Sequence, residues 1–295
     1  MASGVPAVVR VEEFRIDVVK RQRAWGWLVI SYLFLGGAGA GAFLAALALG
    51  QLWGEVLGLV LLVVATGFLF LDLGRPERFW RAFLRPRTSW ISRGAISITA
   101  LVALGGLHVL VAGATGGGGV AEQGLAAAAA VAAFAVMVYT GFLLSPSPAI
   151  PFWNSTFFPA IFFAYSLLAG IDVLILASLV PPGQAVDLPL LEAVQLGLVV
   201  VCLLMVLSHL SVMSHAGLAA RSSIALLVRG HYRWLFLGGV IGAGLLVPLA
   251  VAAPGVLLGA PTVLALSAVL AVLRLAGDYL FRFLVIRAGC YDPLR

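Results

Sequence analysis

Residues 25–49 read WGWLVISYLFLGGAGAGAFLAALAL, a run with no charged side chain. A membrane-spanning helix needs about 20 mostly apolar residues. A strand of a membrane barrel would instead alternate apolar and polar side chains over about ten positions. The run is continuous and rich in Leu, Ala and Gly, so it predicts a transmembrane helix. Further runs of this kind lie at 52–71, 93–113, 123–144, 158–180, 190–213, 233–253 and 261–287. Turn and helix-ending residues punctuate them: Gly116 to Gly119, Pro146, Pro148, Pro151, Pro181-Pro182-Gly183, Pro254 and Pro261. The expectation is an all-α integral membrane protein of eight transmembrane helices. The stretch Ser214 to Arg233 is the weakest boundary and has room for a short amphipathic helix lying in the interface.

Composition agrees. The 295 residues are 62% hydrophobic and 10% charged, with a mean hydropathy of +1.12. Soluble domains carry about 25% charged residues, so a soluble enzyme, a nucleic-acid binder and a disordered scaffold are all excluded. The first 24 residues interleave Arg10, Arg15, Lys20, Arg21 and Arg23 with Glu12, Glu13 and Asp17, and lack the apolar core of a secretory signal. Cys202 and Cys290 have neither metal-ligand spacing nor an evident disulfide partner.

The net charge of +6 is unevenly distributed. Let side A be the side of the N-terminus. With eight spans, side A receives residues 1–24, 72–92, 145–157, 214–232 and 288–295. Of the 18 basic residues, 17 fall there or in the adjoining helix ends, including Arg75, Arg78, Arg81, Arg85, Arg87, Arg93, Arg221, Arg229, Arg233, Arg282, Arg287 and Arg295. The other, Arg274, lies inside the last span, and the side-B connections have none. By the positive-inside rule side A is cytoplasmic, which predicts a multi-pass protein of the inner (plasma) membrane with both termini in the cytoplasm. The arginines of 72–93 either obey that rule or also form a docking surface; the two readings are compatible.

Three stretches exceed what lipid solubility requires. The first is Tyr32-Leu33-Phe34-Leu35-Gly36-Gly37-Ala38-Gly39-Ala40-Gly41-Ala42, dense enough in small residues for close helix packing or for a flat ligand against the backbone. The second runs Asp72-Leu73-Gly74-Arg75-Pro76-Glu77-Arg78-Phe79-Trp80, then Arg85-Pro86-Arg87-Thr88-Ser89-Trp90-Ile91-Ser92-Arg93-Gly94. The third is Tyr139-Thr140-Gly141-Phe142-Leu143-Leu144, followed by Pro151-Phe152-Trp153-Asn154-Ser155.

Together these stretches resemble the NrfD-like family, the polysulfide-reductase type of membrane subunit. The likeness covers most of spans one to five in order; spans six to eight match in hydropathy only. The resemblance implies two four-helix bundles, 25–144 and 158–287, joined by the connection 145–157. It implies a quinone-reactive anchor, taking menaquinone or ubiquinone and holding no haem or metal of its own. The implied partners are a four-cluster iron–sulfur ferredoxin-like subunit and a molybdopterin-type catalytic subunit, with the quinone in the first bundle.

Quinone chemistry moves two electrons and two protons, so it needs an apolar slot, hydrogen-bond partners for two carbonyls and a proton route to water. Tyr32 and Tyr139 both fall about 8–11 Å below the side-A surface at a rise of about 1.5 Å per residue. Asp72 closes span two on the same side, and Gly36 and Gly39 lie beside Tyr32. Interfacial-belt tyrosines and a loop-capping aspartate would give the same pattern; the resemblance favours the quinone reading. Arg75, Arg78, Arg81, Arg85 and Arg87 suit docking of an acidic iron–sulfur partner, though Arg75 has Asp72 and Glu77 within reach. Trp80 and Trp90 suit interfacial anchoring.

For haem, His108 and His209 differ in depth by about 20 Å, too much to share one iron; His209 or His215 with His231 remains open. Inside the second half lie Asp172, Arg274 and Asp278, the last two four residues apart and so on one helical face. Charges at that depth face a partner or a wet cavity. Two readings stand, a neutralising ionic staple and a proton path with His209. Glu55 and Glu192 fit the side-B interface. An alternative function, a proton- or solute-translocating carrier built on Asp172, Arg274 and Asp278, lacks support from an internal repeat.

Overall fold

The computed structural model describes residues 19–180, 187–260 and 262–292. Pro181-Pro182-Gly183, Pro261, Arg10, Arg15 and Arg295 lie outside the described residues. Those described form helices and no strand; one isolated bridge joins Arg21 to Cys290.

The helices are α1 Trp27–Leu49, α2 Leu52–Asp72, a short 3-10 helix Pro76–Phe83, α3 Trp90–Thr115, α4 Val120–Leu144, α5 Phe157–Ala177, α6 Leu188–Met213, α7 Leu218–Val228, α8 Trp234–Leu258 and α9 Leu264–Arg287. Local chemistry sets their ends. Gly50 and Gly116 take left-handed conformations after α1 and α3 (φ +67° and +74°), which glycine adopts without steric cost. The Ser89 and Asp187 side chains accept from the backbone N–H of Ser92 and Leu190, capping α3 and α6. The expected interfacial helix is α7, of 11 residues. One boundary differs: Pro254 does not end its span but lies inside α8, which runs on to Gly259. Residues 234–246 of α8 form wide π-helical turns before the regular helix resumes.

Seven helices, α1 to α6 and α8, are long and apolar enough to cross a membrane. Helix α9 has 24 residues but carries Arg274, Asp278, Arg282 and Arg287, so apolarity does not mark it. Three of those charges are buried, Arg282 completely. That corrects the charge map, in which Arg282 counted as a side-A helix end.

Helix α1 is the most enclosed, packed against α2, α4, α5 and α9. Its glycines permit this. A Cβ on Gly39 would lie 2.7 Å from the Gly58 carbonyl oxygen of α2. A Cβ on Gly41 would run into the Ser166 carbonyl, and one on Gly170 into the backbone of Gly41 and Ala42, so α1 and α5 cross backbone to backbone. Gly244 and Gly277 do the same for α8 and α9. Where bilayer lipid is as apolar as Leu, such close approach is a main source of helix association.

The described chain ends meet. Gln22 N donates to Gly289 O (2.8 Å), Tyr291 N to Lys20 O (2.8 Å) and Asp292 N to Ala149 O (2.9 Å). The Trp153 indole donates to Val285 O (2.9 Å), and Cys290 N donates to Ser223 Oγ of α7 (3.2 Å). Both ends, the 145–156 connection and α7 therefore share one end of the molecule.

Gly41→Val should destabilise the protein by about 1–3 kcal/mol or prevent its accumulation, because the α1–α5 backbone contact cannot yield. Gly67→Ala, where a Cβ meets nothing within 4 Å, should stay within about 0.5 kcal/mol of the parent. Thermal unfolding of the purified proteins in detergent checks both; equal shifts would show that the glycine contacts do not hold the helices.

Candidate functional site

A cavity of about 480 Å³ opens where α1, α2, α3 and α4 meet the 3-10 helix. Pockets for small ligands typically measure about 300–1,000 Å³ and place a few polar groups in an apolar wall. The wall is supplied by Trp25, Val29, Leu69, Phe79, Ile98 and Leu143, and the polar groups by Tyr32, Thr66, Asp72, Arg78, Thr99 and Tyr139. Tyr32, Asp72 and Tyr139, placed at one depth by residue counting, thus line one space.

Tyr32 and Tyr139 are buried and hydrogen-bonded hydroxyl to hydroxyl. Only one of two such hydroxyls donates to the other, so the pair keeps one proton for an acceptor in the cavity. Gly94 of α3 makes room for Tyr139, since a Cβ there would strike its ring. Thr66 donates to Leu62 O (2.9 Å) within its own helix. Asp72, the last residue of α2, is exposed and so gives the cavity a carboxylate in touch with water.

Gly36 and Gly39 do not line the cavity. Gly39 meets α2 and Gly36 faces Ala65, so both belong to the helix contact rather than to the wall. In the other direction, residue counting missed Thr66, Thr99 and Gly94, and assigned Arg78 to docking alone. Gly94 was visible in the Arg93-Gly94 pair, but its role depends on a ring contributed from α4.

Arg75, Arg78, Arg81, Arg85 and Arg87 are all exposed around the cavity mouth. Among the described residues, no carboxylate lies within ion-pair distance of them, and neither Asp72 nor Glu77 takes up Arg75. Arg93 is different. It donates to the carbonyls of Pro86 (2.8 Å) and Arg87 (3.0 Å), and its guanidinium stands 4.2 Å over Trp90. Trp90 in turn stacks on Phe142 of α4 (4.3 Å, 3°). This stack ties the arginine loop to the helices that carry Tyr139.

In the second half, Arg274 donates to Asp172 Oδ1 (2.8 and 2.6 Å), and Gln195 donates to the same oxygen (2.7 Å). Helical spacing matched Arg274 with Asp278; the structure pairs Asp278 with Arg282 instead (2.8 Å). Sharing a helix face does not decide which neighbour an arginine reaches, and Asp172 on α5 is nearer. Arg282 also donates to Leu33 O of α1 (3.1 Å) and Ser166 Oγ of α5 (3.3 Å), and lies over Phe162 (4.7 Å). His209 is buried against Phe152 and Phe158, with Nδ1 3.2 Å from Ser155 Oγ, and does not join the Asp172 cluster. Glu55 and Glu192, expected at the interface, are buried. Glu55 lies 3.3 Å from His108, and Glu192 accepts from Thr262 and Ser267. Among the described residues, no group of three or more His, Cys, Asp or Glu side chains is arranged to hold a metal ion.

Fold and site together define a multi-pass helical membrane protein with a tyrosine-lined, mostly apolar cavity at its arginine-rich end. Comparison with known proteins makes the class specific: the family described as "Polysulphide reductase, NrfD" matches residues 18–292, and the chain belongs to it. It is 27% identical to the C chain of polysulfide reductase from Wolinella succinogenes over 300 aligned positions, covering 90% of this chain and 94% of that protein. It is also 39% identical to the C subunit of sulfite dehydrogenase from Allochromatium vinosum over 92 positions, 26% of this chain and 28% of that protein.

Proposed function

We propose that the chain is the membrane anchor and quinone-reactive subunit of a respiratory oxidoreductase complex. It passes electrons between an iron–sulfur partner and menaquinone or ubiquinone. The observation that carries this reading is the convergence of Tyr32, Asp72 and Tyr139 on one cavity beside five exposed arginines that have no ion pair among the described residues. Reducing a quinone takes two electrons from the partner and two protons from water. The tyrosine pair offers its free hydroxyl proton to a quinone carbonyl, and Asp72 relays protons between the cavity and the aqueous side. Quinol oxidation reverses both. The arginine loop, held by the Arg93–Trp90–Phe142 stack, presents Arg75, Arg81, Arg85 and Arg87 to carboxylates of a four-cluster ferredoxin-like subunit. The terminal substrate reacts on a molybdopterin-type subunit of the complex, as the names of the two relatives suggest.

The reading includes eight crossings. Helix α9 spans about 36 Å at a rise of about 1.5 Å per residue, enough for the hydrocarbon core. The joined chain ends require an even number of traverses, and seven apolar helices alone would leave them apart. The first four crossings, 25–144, form the quinone bundle and 158–287 the second, linked by 145–157 and flanked by the tails 1–24 and 288–295. Asp172, Arg274, Asp278 and Arg282 then serve as ionic staples holding α9 to α5 and α1. Paired in this way they do not favour a carrier that loads and releases protons.

Tyr139→Phe removes the hydroxyl but keeps the ring against Gly94. It should cut quinone turnover of the assembled complex by about 10²-fold, the lower range for losing a positioned acid–base group. Tyr32→Phe should act likewise. Full turnover in both variants would remove the tyrosine pair from the reaction.

By the positive-inside rule, the exposed arginines favour side A in the cytoplasm and the chain in the inner membrane. A reporter active only in the cytoplasm should therefore give signal at the C-terminus, and an alkaline phosphatase fusion there should stay silent. An active phosphatase fusion would reverse the orientation.

A further inference from the structure

A second basic concavity lies at the same end of the molecule, on the other side of the joined chain ends. One face of α7 carries Leu218, Ser222, Ala225 and Arg229, spaced so that they share a side of the helix. With Arg21 they line a groove of about 540 Å³. Arg229 is shared with an adjoining hollow of about 240 Å³, which also holds Arg221. Arg221 is fixed by its bond to Ser214 O (3.0 Å). All three arginines are exposed, and among the described residues none is in an ion pair.

The start of α8 marks the depth of this groove. Arg233 stacks over Trp234 (4.5 Å), and Trp234 is 75% exposed there, a usual place for tryptophan between headgroups and acyl chains. Leu218 beside the groove, and Leu235 and Leu237 just beyond it, are exposed too. A surface that is cationic on its aqueous edge and apolar on its membrane edge matches one chemistry: a phosphodiester with acyl chains attached. Basic pockets between helices at the membrane surface bind anionic lipid headgroups in this way.

We propose that the groove formed by Arg21, Arg221 and Arg229 on α7 and the N-terminal segment binds the phosphate of an anionic phospholipid in the side-A leaflet. The lipid clamps the 19–23 segment, α7 and the Cys290 turn together, because each contributes to the groove wall. This site is separate from the quinone cavity and shares no lining residue with it.

The test is native mass spectrometry of the purified protein in detergent with phosphatidylglycerol or phosphatidylcholine of matched acyl chains. Each basic residue near a charged surface adds about 1 kcal/mol, so three arginines should favour phosphatidylglycerol by roughly 10- to 100-fold. The triple variant Arg21→Gln, Arg221→Gln, Arg229→Gln should lose that preference. The triple Lys variant should keep it and serves as the folding control. Equal retention of both lipids by the parent, or an undiminished preference in the Gln variant, overturns the proposal. Displacement of the lipid by millimolar inorganic phosphate would also overturn it, by showing a site for a free anion.

Discussion

The structure depends on the backbone contact that small residues allow around α1. Gly39 lies against Gly58 of α2, and Gly41 lies against Ser166 and Gly170 of α5. With no hydrophobic drive between helices in lipid, these contacts supply much of the association energy. They also fix α1 as the shared wall of both halves of the molecule. From that position Tyr32 reaches Tyr139 on one side and the Leu33 carbonyl reaches Arg282 on the other. The glycine run is thus a packing device whose result is a site, and the ring-sized space arises one turn away, between Trp25, Leu69 and Ile98.

Buried charge is the second constraint. A lone ion at this depth costs several kcal/mol, and each one in α9 is answered by a partner from another helix or from the next turn. Arg282 is satisfied four ways, by Asp278, Leu33 O, Ser166 and the face of Phe162. Breaking one such pair strands its partner and costs more than replacing both members. Helix α9 therefore tolerates a charge content that would disqualify a lipid-facing helix, and average apolarity undercounts it.

These two constraints explain what could be read from residues alone. Span positions came out within a few residues, because continuous apolar runs have one physical meaning in a chain this poor in charge. The common depth of Tyr32, Asp72 and Tyr139 followed from the helical rise. What failed were statements about which residue faces which. Arg274 and Asp278 share a helix face, yet Arg274 bonds across to Asp172. Pro254 looked like a break, yet it continues a helix whose neighbours are lipid-facing and apolar. Gly36 and Gly39 had two meanings in sequence, and only the packing of α2 chose between them. Thr66, Thr99 and Gly94 entered the site through tertiary contact, for which spacing along one helix holds no signal.

The central claim is that the cavity between α1, α2, α3 and α4 is where quinone binds. Photolabelling of the intact complex with an azidoquinone, with peptide mapping of the adducts, tests it directly. Adducts are expected on α1 to α4 and the 3-10 helix near Tyr32, Thr66, Phe79 or Tyr139, suppressed by excess unlabelled quinone. Competable labelling confined to α5 through α9 would contradict it.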